Sequence, residues 1–158
     1  GAKVRRQLHY FARDSLYRGL FGKVLRRLDT IPVARDRADI RSMKGILRAL
    51  QNGGAVVIYP EGPRSPDGAL LPPQPGAGMI ACKSGAAVVP TRLFGTYEAF
   101  GRHRGFPRPG GLIQVVYGPL LRPGDYDPGT AHPERYLEAS RRIMEHIAAI
   151  TPPQREIV

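Results

Sequence analysis

Apolar positions change their period several times along the chain, and each change predicts an element. Gln7-Leu8-His9-Tyr10-Phe11-Ala12-Arg13 is aromatic and apolar and reads as a strand over 7–13. Asp14 or Ser15 then offers an N-cap for a helix whose stripe is Leu16, Leu20, Val24 and Leu28, with Arg18, Lys23, Arg26 and Arg27 mostly off it. A short apolar stretch follows at Thr30-Ile31-Pro32-Val33. Asp36 or Asp39 can cap the next helix, which turns Ile40, Met43, Ile46, Leu47 and Leu50 inward and ends at Gly53 and Gly54. The β-branched run Ala55-Val56-Val57-Ile58 predicts an inner strand over 55–59 that meets a Pro- and Gly-rich loop.

A further helix is expected over about 75–84, stopped by Gly85, and a buried strand over 86–93. Residues 94–111 read as a long loop rich in glycine, arginine and aromatics. Leu112 to Tyr117 reads as a strand closed by Gly118-Pro119. The last helix starts near Pro133, keeps Tyr136, Leu137, Ser140, Ile143, Met144 and Ile147 in helical period, and stops at Pro152-Pro153. Strands alternating with helices predict an α/β fold, a mixed β-sheet flanked by helices. No internal repeat or linker interrupts it, so residues 1–158 are expected to form one domain.

Composition changes this picture in three ways. Hydrophobic residues make up 42% of the chain, which is the globular range. No run approaches the ~18–20 apolar residues of a membrane span, and no signal-peptide pattern opens the chain. The single Cys82 excludes an internal disulfide, fits a reducing compartment and reads as a packed thiol in a small-residue helix. The net charge of +11 and the pI near 10.5 favour phosphate-rich partners: nucleic acid, an anionic lipid surface or a phosphorylated substrate.

The candidate chemistry gathers in Tyr59-Pro60-Glu61-Gly62-Pro63-Arg64-Ser65. This loop sits at the C-terminal end of a predicted strand, the edge where open α/β sheets bind ligands. Arginine offers a rigid fork of donors that matches phosphate oxygens, and glycine lets the backbone approach a ligand closely. The segment resembles the Pro-Glu-Gly-Thr-Arg-Ser signature of the glycerolipid acyltransferases, the lysophosphatidate acyltransferase family, with Pro63 in place of Thr. Other blocks follow the same family in order. Ile31-Pro32-Val33-Ala34-Arg35 is similar to the block Gly-x-Ile-Phe-hydrophobic-Asp-Arg, with Asp29 at the Gly position and Ala34 at the acidic one. Ala86-Ala87-Val88-Val89-Pro90-Thr91 is similar to the block that closes on proline. Asp67-Gly68-Ala69-Leu70-Leu71-Pro72 and Pro75-Gly76-Ala77 resemble the sequel to the Glu-Gly motif. Ala12-Arg13-Asp14-Ser15-Leu16 resembles the Ala-Lys-Lys segment, so the resemblance runs from about residue 8 to 120.

The resemblance implies a glycerol-phosphate acyltransferase-like fold. It also implies acyl transfer from acyl-coenzyme A or acyl-carrier protein to a lysophospholipid, with lysophosphatidate the favoured acceptor. Arg35, Glu61, Gly62, Arg64 and Ser65 are then the residues expected at the acceptor phosphate. Two roles stay open for Glu61: orienting the arginines, or accepting a hydrogen bond from a substrate hydroxyl. The bland alternative is a loop ion pair between Arg64 and Glu61, with Arg35 a solvated charge. No metal or redox cofactor is implied, and neither a Cys/His cluster nor a Gly-Lys-Ser/Thr loop is present in the sequence. The family's reaction needs a His, four residues, then an Asp on one helix. His9 and Asp14 match that spacing, but His9 falls in a predicted strand and lies only 26 positions before Arg35. The expectation is that the working pair lies before residue 1 and that this chain holds no catalytic base. Membrane contact is expected to be peripheral, at the cytoplasmic face, or through an upstream anchor. The rival is a non-catalytic basic α/β module that binds nucleic acid or anionic lipid. The stretch from Phe94 to Phe106, where aromatics and cations interleave, is its best argument, although no specific nucleic-acid consensus accompanies it.

Overall fold

β1, Leu8–Arg13, is the middle strand of a three-stranded sheet ordered β2-β1-β3, with β2 at Thr30–Val33 and β3 at Ala55–Val56. Both neighbours run parallel to β1: Phe11 pairs with Ile31, Arg13 with Val33, Leu8 with Ala55 and His9 with Val56. The computed structural model describes residues 8–13, 30–33, 40–101, 104–106 and 108–152. The helix expected over Leu16–Leu28 and the caps Asp36 and Asp39 lie outside them. The chain divides into two compact units, Gly1–Tyr59 and Pro60–Val158.

In the first unit, α1 covers Ile40–Gln51 and buries Ile46. Its end is a Schellman motif: the Gly53 N–H donates to Leu50 O at 3.0 Å and the Gly54 N–H to Ala49 O at 2.9 Å. Gly53 stands at φ 79°, the left-handed conformation that such a stop requires. The chain then enters β3 at once. This strand is shorter than the 55–59 expected, and among the described residues it lies at the sheet edge and not inside it. Among the described residues it pairs with β1 alone, and only the Val57 N–H, donating to His9 O at 3.0 Å, continues the ladder. Ala55 to Ile58 are accordingly half-buried.

In the second unit, α2 covers Pro75–Ser84 and α5 covers Arg135–Ala148. Both begin and end near their expected positions. Pro75 opens α2 where its missing N–H costs nothing, and Gly85 closes it. The two helices pack together through Ala81, Ala139, Ile143, Met144 and Ile147, joined by Leu121 and Tyr126, with Cys82 and Val88 at the edge. β4, Thr91–Phe94, pairs antiparallel with β5, Gln114–Tyr117, and places Leu93 opposite Val115. The buried strand expected over 86–93 is corrected on both counts. Before Pro90 only Val88 makes a bridge, to Leu121, and Val89 and Leu93 are 48% and 40% exposed. A two-stranded antiparallel ribbon faces its packing partner on one side only. Arg92 ties that ribbon to α5, its Nη1 donating to Ala148 O at 2.9 Å and Ile150 O at 2.8 Å. Among the described residues no helix is long and apolar enough to cross a membrane.

Two short helices have no counterpart in the sequence pattern: α3, Thr96–Phe100, inside the expected loop, and α4, Pro123–Tyr126. α4 delivers Tyr126 to the core, fully buried, where its hydroxyl reaches Ala86 O at 2.8 Å and Ala81 O at 3.2 Å. Burial pushes the phenol up to about 12, with Cys82 and Asp127 adding to the shift. The fold holds the neutral form. Its contribution is complete below the ordinary tyrosine value of 10.0 and is lost as pH rises towards about 12. Tyr126→Phe should therefore cost about 1–2 kcal/mol at neutral pH. It should also shrink the loss of stability on the alkaline side, which urea unfolding from pH 8 to pH 11.5 would register. An unchanged alkaline slope would show that Tyr126 is not its source.

Candidate functional site

The Glu-Gly-Pro-Arg loop runs from Pro60 to Gln74 and leads straight into α2. The Gln74 N–H donates to Pro60 O at 2.7 Å and closes its base. Gly62, at φ 80°, makes the first bend in a conformation that disfavours other residues. Glu61 points inward, and its Oε2 accepts the Leu71 N–H across the loop at 2.6 Å. Beyond Arg64 the chain folds on itself. The Ser65 hydroxyl donates to Asp67 Oδ1 at 3.0 Å and accepts the Gly68 N–H at 2.9 Å, while the Ala69 N–H reaches Asp67 Oδ1 at 3.0 Å. The Ala69 N–H first, and the Ser65 hydroxyl second, hold the Asp67 carboxyl below its ordinary value.

The five residues expected at a phosphate are therefore not equivalent. Glu61 and Ser65 spend hydrogen-bonding capacity on the loop itself. Gly62 supplies the bend. Arg64 is exposed, and among the described residues no hydrogen bond or ion pair engages its guanidinium, which lies 5.3 Å from the centroid of the Phe100 ring. The loop ion pair between Arg64 and Glu61 does not form, because Glu61 is turned towards Leu71. Arg35 lies outside the described residues.

His9 sits on β1, and a Cβ added at Gly54 would come within 3.1 Å of its ring, so the imidazole packs on the end of α1. Asp14 lies outside the described residues, as does His103. His132 accepts the Glu134 N–H through Nδ1 at 3.2 Å, and His146 occupies the last turn of α5. Cys82 is half-buried and its thiol is pushed up, chiefly by burial and then by Asp127. Asp127 itself is held well below the carboxylate range by a two-pronged pair with Arg135, at 2.8 Å and 2.5 Å. That pair joins the end of α4 to the start of α5 and is structural. Among the described residues no group of His, Cys, Asp and Glu could hold a metal ion.

Sequence reasoning took Tyr97 and Phe100 only as part of the aromatic and cationic stretch that favours nucleic acid; the structure places them against the loop. Their signal was an i, i+3 aromatic pair directly after Gly95, the spacing of one helix face.

A family model described as Acyltransferase matches residues 1–93, and the chain belongs to that family. It is 35% identical over 79 residues to the chloroplastic 1-acyl-sn-glycerol-3-phosphate acyltransferase LPAT1 of Arabidopsis thaliana, covering 49% of this chain and 22% of that one. It is 28% identical over 149 residues to the 1-acyl-sn-glycerol-3-phosphate acyltransferase of Pseudomonas aeruginosa, covering 92% of this chain and 56% of the relative. The crystal structure of the 1-acyl-sn-glycerophosphate (LPA) acyltransferase PlsC from Thermotoga maritima superposes with a TM-score of 0.67 at 24% identity, over 93% of this chain and 59% of that one. This likeness shows the shared fold. The chain spans between about a fifth and about three-fifths of the length of these relatives.

Proposed function

We propose that this chain is the core of an enzyme that moves an acyl group from a thioester, acyl-coenzyme A or acyl-carrier protein, to the free hydroxyl of lysophosphatidate, giving phosphatidate. The acceptor oxygen attacks the thioester carbonyl carbon, the C–S bond breaks, and the hydroxyl proton leaves through a general base while the thiol departs. The observation that carries the reading is Arg64. In a chain of the acyltransferase family, it is the exposed cation of the signature loop, in no ion pair among the described residues and available to a phosphate. The charge of +11 adds attraction to an anionic bilayer, and we place the protein peripherally on the cytoplasmic face. Of the aromatics behind the rival nucleic-acid reading, Tyr97 and Phe100 are engaged with the motif loop, while Phe106 is 87% exposed.

The test is a coenzyme A release assay on the intact protein, with lysophosphatidate against the matching monoacylglycerol. Preference for the phosphorylated acceptor is expected. Equal use of both acceptors, or no thioester turnover, would sink the reading. His9 is left out of this proposal as the general base, because it is a strand residue packed on Gly54. His9→Ala should keep kcat within about twofold, whereas loss of a true base typically costs ~10²–10⁴-fold. A drop of that size would return His9 to the reaction.

A further inference from the structure

The stretch of aromatics and cations after β4 has no part in the reaction as stated above, yet its short helix touches the signature loop at three points. Tyr97 donates its hydroxyl to Pro66 O at 3.0 Å. The backbone of Gly68 lies on the Tyr97 ring, so close that a Cβ there would come within 3.0 Å of Cγ. Phe100, three residues on, sets its ring against the Arg64 guanidinium at 5.3 Å. Tyr97 and Phe100 thus share a face of α3, and the loop residues they hold are Arg64, Pro66 and Gly68.

We infer that Phe100 is a positioning residue that presents Arg64 to the phosphate of the acceptor, and that Tyr97 fixes the turn beyond it. The inference rests on the phosphate reading of Arg64. An exposed arginine samples many rotamers, and ordering it on binding costs conformational entropy. A ring against the flat face of the guanidinium narrows those rotamers before the ligand arrives. The Phe100 ring offers no oxygen or carboxylate as an acceptor, so the N–H fork of Arg64 keeps donors for phosphate oxygens. The neighbouring turn cannot swing away, because Ser65, Asp67 and Gly68 bond one another and Tyr97 holds Pro66. Phe100 is 41% exposed and makes no part of the core, so truncating it leaves the packing of α2 on α5 intact.

The experiment is steady-state kinetics on the intact protein with lysophosphatidate varied. Four proteins are compared with wild type: Phe100→Leu, Phe100→Tyr, Arg64→Ala and the double variant Arg64→Ala/Phe100→Leu. Phe100→Leu, which keeps apolar volume but removes the π face, should raise the acceptor KM about two- to fivefold with kcat unchanged. Phe100→Tyr should keep the wild-type KM. In the Arg64→Ala background Phe100→Leu should add nothing, since the group it positions is gone. A wild-type KM in Phe100→Leu, an equal rise in Phe100→Tyr, or a Phe100→Leu effect that persists undiminished without Arg64 would each overturn the positioning role. Arg64→Ala at wild-type KM would instead overturn the phosphate reading beneath it.

Discussion

Arg64→Ala should raise the KM for lysophosphatidate by about tenfold or more, while the KM for the acyl donor moves little. A hydrogen bond to a charged group contributes roughly 1.5–3 kcal/mol, and each 1.4 kcal/mol is a factor of ten. The structure removes the usual reason for a smaller effect. An arginine already held by a carboxylate must give up that pair to bind a phosphate, whereas Arg64 has no such pair among the described residues, Glu61 being engaged by the Leu71 N–H. Arg64→Lys should recover part of the loss. The ammonium keeps the charge but not the fork, and it stacks on Phe100 less well. Varying each substrate in turn separates the two KM values. Equal rises in both would mean that the loop had been disordered and not that a contact had been lost. Wild-type behaviour in Arg64→Ala would end the phosphate assignment.

The sequence pattern located these elements wherever the signal was local. α2 is framed by Pro75 at its start and Gly85 at its end, and α1 by the pair Gly53-Gly54, because each glycine or proline acts on its own few residues. Strands were placed unevenly: β1 and β5 fall within one or two residues of 7–13 and 112–117, whereas those expected over 55–59 and 86–93 do not. Val56 and Val89 look alike in sequence, but burial of a strand depends on which strands lie beside it, and those come from distant parts of the chain. The short helices escaped for a different reason. Four or five residues cannot display a period, so Pro123–Tyr126 gave no helical signal and Thr96–Phe100 gave only the spacing of Tyr97 and Phe100. Tyr126 reads as one more surface tyrosine until its partners, the carbonyls of Ala81 and Ala86, are seen some 40 residues away.

The candidate site was legible as a list but not as a division of labour. The motif named Glu61, Gly62, Arg64 and Ser65 together. Only the fold separates the residues that build the loop from the one that faces outward. Glu61 reads as a partner for Arg64 because they are three apart, yet the loop bends at Gly62 and carries the two side chains to different places. Phe100 was hidden because its relation to Arg64 crosses 36 positions of sequence and depends on α3 forming at all.

Gly78→Ala should destabilise the protein by about 3 kcal/mol or more, while Gly76→Ala, two residues earlier in the same helix, should be neutral or stabilising. Ser140 on α5 enters the first turn of α2. Its hydroxyl accepts the Gly78 N–H at 2.8 Å and donates to Gln74 O at 2.8 Å, the two groups that an i→i−4 bond would otherwise join. The backbones meet so closely there that a Cβ on Gly78 would fall 2.1 Å from Tyr136 O and 2.7 Å from Ser140 N. No rotamer relieves that overlap, since both obstacles are main chain. The helices must part, and Ser140, fully buried, then loses its partners. Gly76 faces open space, with nothing within 4 Å of an added Cβ, so alanine there only gains helix propensity and restricts the unfolded chain. Urea unfolding followed by circular dichroism would give both signs. The consequence reaches the site, because Gln74 closes the base of the signature loop through Pro60 O. Gly78→Ala should therefore raise the acceptor KM at temperatures where the protein is still folded. If Gly78→Ala were as stable as Gly76→Ala, the close approach of α2 and α5 would be wrong, and with it the anchoring of the loop.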